Sequence, residues 1–218
     1  MGVRLGCDGP KALVTLAGHP LIEHTLTRFA PLGLVETAVI ICPPGYSQRF
    51  EYALSAAFPD ARFTFVDGGA ERQLSVENGL AAMKPDTDVV VIHDAARSFV
   101  APESIQASID AAGQYGAATV AIPSIDTILE GDAQAFLQAT PNRQHLWACQ
   151  TPQTFRIEVI RHAHLRARQD AFIGTDDASL VRRIGEQVKL VPGTRLNIKI
   201  TTPEDLALAE TLIQGNLV

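Results

Sequence analysis

A chain of 218 residues with 46% hydrophobic content has enough apolar material to bury a full core, and its length favours a single domain spanning 1–218. The net charge of −6 disfavours nucleic-acid binding, which needs basic surface, yet allows a small anionic ligand in a cleft where a few cations converge. With no run of eighteen apolar residues and no charged-then-apolar leader, neither a membrane span nor export is expected, and the sequence reads as cytoplasmic.

In chain order, residues 20–29 set Leu21, Ile22, Leu26 and Phe29 near helical spacing and read as a crossover helix. Apolar runs at 37–42, 63–66, 88–93 and 117–122 are short, rich in Val, Ile and Phe, and separated by helix-like segments. That alternation predicts a parallel sheet with helices on both faces. Between the last two runs, residues 102–115 carry Ile105, Ile109 and Ala112 at helical spacing, with Pro102 where a first helical turn accepts it. The segment 124–149 breaks the rhythm around Gly131-Asp132 and reads as a hairpin-like arm leaving the sheet. Beyond it, 155–168 and 175–184 look helical, 187–191 extended, and 203–213 a closing helix with Thr202 as N-cap and Asp205 three residues on.

The groups able to do chemistry cluster beside these elements. Asp94 follows the apolar run 89–93 and so stands at the C-terminal end of a strand, where open α/β sheets place ligands. A magnesium ion takes such a carboxylate together with phosphate oxygens, and Arg97 either shares that ligand or pairs with Asp94 to cap the loop. Gly68 and Gly69 permit a tight turn and close backbone approach, and Ser75 begins a helix that it either caps or uses to present its hydroxyl. Arg4 and Lys11 flank a loop containing Gly6, Gly9 and Pro10 that lacks the Walker spacing. Lys199 sits in the extended, strand-like apolar run Asn197-Ile198-Lys199-Ile200, where a buried charge needs a partner. Asp176 and Asp177 either orient a loop or cap the following helix. Cys7, Cys42 and Cys149 are too far apart for a zinc or disulfide framework, and His162 and His164 do not share a helix face.

Four segments carry a resemblance: Gly68-Gly69-Ala70-Glu71-Arg72-Gln73-Leu74-Ser75-Val76, Val91-Ile92-His93-Asp94-Ala95-Ala96-Arg97, Thr175-Asp176-Asp177-Ala178-Ser179, and 197–206 from Asn197 to Leu206. With Pro10-Lys11, Ile125-Asp126-Thr127 and Gln150-Thr151-Pro152-Gln153 in the same order, the chain resembles the 2-C-methyl-D-erythritol 4-phosphate cytidylyltransferases. The resemblance implies an α/β, Rossmann-like three-layer fold with a mostly parallel twisted sheet and a protruding β-arm. It implies transfer of a cytidylyl group from CTP to a sugar-alcohol phosphate with Mg2+, other divalent cations being possible, and a homodimer formed through the 124–149 arm. By the same resemblance, Arg4, Lys11 and Lys199 are catalytic, and Gly2, Gly69, Ala70, Ser75 and Asp94 bind the nucleotide, Asp94 also holding the metal. Arg97, Thr127, Arg143, Thr151 and Thr175 are expected at the acceptor. The family opens on an apolar strand running into Ala-Ala-Gly-x-Gly-x-Arg, of which Gly2-Val3-Arg4-Leu5-Gly6 stands here after Met1, so an N-terminal truncation is expected. Two other readings remain: ribitol 5-phosphate as acceptor, and a nucleotide-binding protein whose catalysis is impaired by loss of the first strand.

Overall fold

The computed structural model describes residues 9–218, so the expectations placed on Gly2 and Arg4 lie outside the described residues. A short 3-10 turn over Lys11–Leu13 leads into the ribbon β1 (Thr15–Leu16) and β2 (His19–Pro20). Then come α1 (Leu21–Phe29), β3 (Val39–Cys42), α2 (Ser47–Ser55), β4 (Thr64–Asp67), α3 (Arg72–Ala81), β5 (Val89–Ile92), α4 (Pro102–Tyr115) and β6 (Ala117–Pro123). The second half holds β7 (Glu130–Gly131), β8 (Leu137–Ala139), β9 (Trp147–Arg156), α5 (Ile157–Gln169), α6 (Asp177–Arg183), β10 (Lys189–Pro192) and α7 (Pro203–Gln214).

The Rossmann-like α/β architecture holds, and its sheet is mixed. The strands β10-β6-β9-β5 form one sheet and β3-β4 a second piece. The pairs β10·β6 and β3·β4 are parallel, while β9 runs antiparallel to both β6 and β5. Period-two alternation along β5 builds the three layers. Val90 and Ile92 pack with Val76, Leu80 and Ile160 from α3 and α5, whereas Val89 and Val91 pack with residues of α4. Residues 117–121 of β6 are all buried, as a strand covered on both faces must be.

Local signals explain the helix ends. α4 starts on Pro102, whose missing N–H costs nothing in a first turn, and stops at Gly116, which takes the left-handed φ of 89°. In α7, Thr202 and Asp205 cap each other reciprocally.

Three expectations are corrected. Residues 147–156, read partly as arm and partly as the start of a helix, form the long strand β9. Its buried positions Gln150, Thr151, Gln153 and Thr154 are polar and satisfied by hydrogen bonds, so no apolar run announces it. The helix expected to begin at Ser75 begins at Arg72, with Ser75 inside its first turn. Lys199 lies in an irregular segment rather than a strand, and its side chain is 43% exposed. The arm itself is present, with β7 and β8 as an antiparallel hairpin.

Between β3 and β5 the two sheet pieces face one another across a cleft of about 1190 Å³ lined by Val39, Ile40, Ile41, Val90, Val91 and Ile92. Each strand is paired on its far side, and among the described residues neither has a strand partner on the cleft side. Gly68, Gly69, Arg72, Ser75 and Asp94 line the same cleft.

Candidate active site

The site is built where β5 ends. Asp94 leaves the strand after His93, and its two oxygens meet cations from distant parts of the chain: Oδ2 lies 2.7 Å from Lys199 Nζ, and Oδ1 lies 3.6 Å from Arg72 Nε. Burial raises the Asp94 pKa, but Lys199 and then Arg72 outweigh it and hold the carboxyl below its ordinary value of 3.8. Asp94 is therefore a carboxylate at neutral pH.

Lys199 is held there by the backbone around it. Ile200 N–H donates to Ala96 O at 2.8 Å, Arg97 Nη1 donates to Asn197 O at 2.7 Å, and buried Asn197 donates to Thr151 O at 2.9 Å. Arg97 also donates from Nη2 to Cys149 O at 3.4 Å. No Asp94–Arg97 ion pair forms among the described residues; instead, Arg97 N–H donates to Asp94 O at 2.9 Å and closes the turn.

Beneath Asp94 the direction of each hydrogen bond can be deduced. Burial pushes the His93 pKa down to about 4, so its ring is neutral at pH 7. His93 Nε2 faces Arg97 O at 3.1 Å, an atom that only accepts, so Nε2 carries the proton and Nδ1 is the acceptor. Thr151 Oγ1, 3.0 Å away, then donates to Nδ1 and accepts from Asp94 N–H at 3.1 Å. The Thr151 proton is thus committed inward. Thr151, expected to touch the acceptor, is 6% exposed and instead fixes the Asp94 backbone.

This arrangement makes a pH prediction. His93 has a folded pKa below the unfolded value of 6.5, so its contribution to stability is complete above pH 6.5 and is lost as pH falls toward 4. Denaturant unfolding at pH 7 and pH 4 is expected to differ by about 2–3 kcal/mol from this group. The same comparison in His93→Gln should be flatter, and an equally steep loss in that variant would assign the pH dependence elsewhere.

Opposite Asp94, the loop before α3 is tightly built. Gly68 N–H donates to Cys42 O at 2.8 Å, and Gly69 N–H donates to Ser75 Oγ at 3.0 Å, while the Ser75 hydroxyl donates to Glu71 O at 3.0 Å. A Cβ on Gly69 would lie 2.5 Å from Leu74 Cβ, so only glycine allows this close approach. Ala70 is exposed beside it.

Among the expected residues, the structure brings together Asp94, Lys199, Gly69 and Ser75, with Arg97 and Thr151 as their support. Thr175 is exposed just before Asp176, which caps α6 by accepting from Ser179 N–H at 2.9 Å. Lys11 sits in its 3-10 turn. Thr127 and Arg143 remain in the arm, where Arg143 Nη1 donates to Ile125 O at 2.9 Å, and neither joins the Asp94 cluster among the described residues.

Sequence reasoning did not assign a role to Arg72, which bridges Asp94 and Asp177 and reaches Asp177 Oδ2 at 2.6 Å. His164 Nε2 lies 3.1 Å from the other oxygen of Asp177. A signal was available in the arginine at the head of α3, three positions after Gly69, but its partner is 105 residues away.

Comparison with known proteins agrees with the geometry. Residues 1–215 match the family model described as IspD: 2-C-methyl-D-erythritol 4-phosphate cytidylyltransferase. A protein of that name from Pelotomaculum thermopropionicum is 43% identical over 215 residues, covering 98% of this chain and 90% of the relative. One from Deinococcus radiodurans is 45% identical over 211 residues, covering 97% and 84%. Among solved structures, the cytidylyltransferase from Thermus thermophilus superposes with a TM-score of 0.80 at 34% identity, covering 95% of each chain. The 4-diphosphocytidyl-2C-methyl-D-erythritol synthase of Anaerococcus prevotii gives a TM-score of 0.86 at 29% identity, covering 93% of each.

Proposed function

This chain belongs to the 2-C-methyl-D-erythritol 4-phosphate cytidylyltransferase family, and from that membership we propose how its residues divide the work. The reaction joins CTP and 2-C-methyl-D-erythritol 4-phosphate into 4-diphosphocytidyl-2-C-methyl-D-erythritol and pyrophosphate, a step of isoprenoid biosynthesis. An oxygen of the acceptor phosphate attacks the α-phosphorus of CTP. A new P–O bond forms, the bond to the β-phosphate oxygen breaks, and its electron pair leaves with pyrophosphate. A phosphate monoester, with a second pKa of about 6, is already largely dianionic at neutral pH, so the enzyme needs no general base to make the nucleophile. What it must supply is positioning and positive charge.

The observation that carries this reading is Asp94 at the end of β5, which meets Lys199 and Arg72 and lines one cleft with Gly69 and Ser75. Lys199, with Lys11 and Arg4 by family resemblance, neutralises charge on the transferring phosphoryl group. The backbone at Gly69 and Ala70, with Ser75, reads the cytosine edge. Arg97 steadies the segment carrying Lys199, and Thr175 stands at the acceptor side.

The donor set fits a magnesium ion in one way. Among the described residues no three His, Cys, Asp or Glu side chains gather to cage a metal. Asp94, whose carboxylate also meets Lys199 and Arg72, suits an ion that takes one carboxylate and completes its shell with phosphate oxygens and water. Bound there, magnesium supplies charge neutralisation to the triphosphate. Asp94→Asn keeps the shape and removes the charge, so its activity is expected to fall and to demand more magnesium. An unchanged magnesium titration would remove Asp94 from the metal shell.

The arm supports homodimerisation. It exposes Ile125, Ile128, Leu129, Phe136 and Leu137, each at least 43% accessible, an apolar surface suited to a partner. In that dimer, Thr127 and Arg143 serve the neighbouring site. Mixing inactive Arg143→Ala and Lys199→Ala chains should then restore some activity, because one site of the mixed dimer keeps both groups. Confirmed heterodimers without recovery would exclude sharing.

No helix among the described residues is long and apolar enough to cross a membrane.

A further inference from the structure

The loop that opens α3 and the loop that opens α6 are tied together by side chains that the reaction itself does not use. Gln73, only 6% exposed, brackets the second loop with its amide: Nε2 donates to Phe172 O at 3.0 Å, and Oε1 accepts from Gly174 N–H at 2.8 Å. Its neighbour Arg72 donates to Asp177 Oδ2 at 2.6 Å while its Nε faces Asp94. Asp177 is 1% exposed and is braced by His164 and by Gln153 Oε1, which accepts from Asp177 N–H at 3.0 Å.

Two consecutive residues thus grip both ends of 172–177. Between the grips, Ile173 and Thr175 face solvent. On the other side of Arg72 and Gln73 lies the Gly68–Glu71 turn, held by Ser75. Shifting either loop alone would strand a buried amide or a buried carboxylate, and leaving such groups unpaired is costly. The hydrogen bonds therefore oppose independent movement of the two loops.

We propose that Arg72 and Gln73 are positioning residues that couple the nucleotide subsite to the acceptor subsite, so that nucleotide held on the Gly69 loop sets the 172–177 loop for the acceptor phosphate. This rests on the placement of the cytosine at Gly69 and the acceptor at Thr175. Coupling of this kind is reciprocal: each ligand tightens binding of the other by the same factor. Arg72 adds an electrostatic link, because the cation that anchors Asp177 also faces Asp94.

The test uses the full chain and Gln73→Met, which keeps length and apolar bulk but loses both amide bonds. At saturating CTP the KM for 2-C-methyl-D-erythritol 4-phosphate is expected to rise about tenfold, and at saturating acceptor the KM for CTP should rise with it, while the affinity for CTP measured without acceptor changes by less than about twofold. Titration of the acceptor with and without CMP should show several-fold tightening in the parent chain and about none in Gln73→Met. Hydrogen exchange over 172–177 should accelerate. Faster exchange with an unchanged acceptor KM would make the clamp merely structural, and CTP binding weakened equally without acceptor would mark general damage to the fold; either result overturns the proposal. Arg72→Lys, which keeps the charge near Asp94 but shortens the reach to Asp177, should repeat the loss of CMP-dependent acceptor tightening if Gln73→Met folds poorly. Thr175→Ala separates the two layers of the argument: if it leaves the acceptor KM unchanged while Gln73→Met raises it, the role given to Thr175 fails and the coupling stands.

Discussion

Lys199→Ala is expected to lower turnover by on the order of 10²-fold or more, the usual loss when a preorganised charge stabiliser is removed from a phosphoryl-transfer site. The fold should tolerate the change. The lysine side chain is 43% exposed and lies in no strand, and Asp94 retains Arg72 after its loss. Its backbone neighbours stay pinned through Ile200 to Ala96 and through Asn197 to Arg97. Steady-state turnover beside a thermal melt separates the two effects: a large fall in rate at nearly constant melting temperature is the expected pair. Near-normal turnover would make the Lys199–Asp94 contact a surface ion pair, worth about 1 kcal/mol or less. By resemblance Lys11→Ala should show the same pattern.

A version of the chain carrying an apolar strand and Ala-Ala-Gly ahead of Met1 is expected to melt higher and to bind CTP more tightly. The physical ground is the cleft between β3 and β5, where two strand edges face one another and each is paired only on its far side among the described residues. A strand laid there pairs with both edges and buries Val, Ile or Leu side chains at about 1.5–3 kcal/mol each. For a strand of about five residues buried on both faces, that gain of about 7–15 kcal/mol against about 5–10 kcal/mol of ordering entropy leaves a net on the order of 3 kcal/mol. For a domain of this size that corresponds to about 6–12 °C in melting temperature. Affinity for CTP should rise with it, because Gly68, Gly69, Ser75 and Asp94 line the same cleft as the two edges. Equal melting temperatures and equal CTP affinities in the two chains would show that the cleft does not take a strand.

The legible parts of the fold were those marked by local physics. The runs that became β3, β4, β5 and β6 are β-branched and aromatic, and α4 carries both a Pro start and a Gly stop, so its expected and observed limits coincide. β9 was hidden because its interior is built from Gln150, Thr151, Gln153 and Thr154, polar residues whose burial depends on partners in other elements. The same contrast divides the site. Asp94 at a strand end and Gly69 in a tight turn carry local signals. Arg72, Gln73, Asp177 and His164 gain meaning only from contacts made across about a hundred residues of chain, or, for the last pair, from a burial that helix periodicity alone does not indicate.

The central claim is that this cleft passes a cytidylyl group from CTP to 2-C-methyl-D-erythritol 4-phosphate. Its most direct test is pyrophosphate release by the purified chain with CTP and magnesium, supplied in turn with 2-C-methyl-D-erythritol 4-phosphate, ribitol 5-phosphate and no acceptor. The account predicts release that depends on 2-C-methyl-D-erythritol 4-phosphate, matched mole for mole by 4-diphosphocytidyl-2-C-methyl-D-erythritol, and abolished by Lys199→Ala. Release that favours ribitol 5-phosphate, or that survives unchanged in Lys199→Ala, would contradict it.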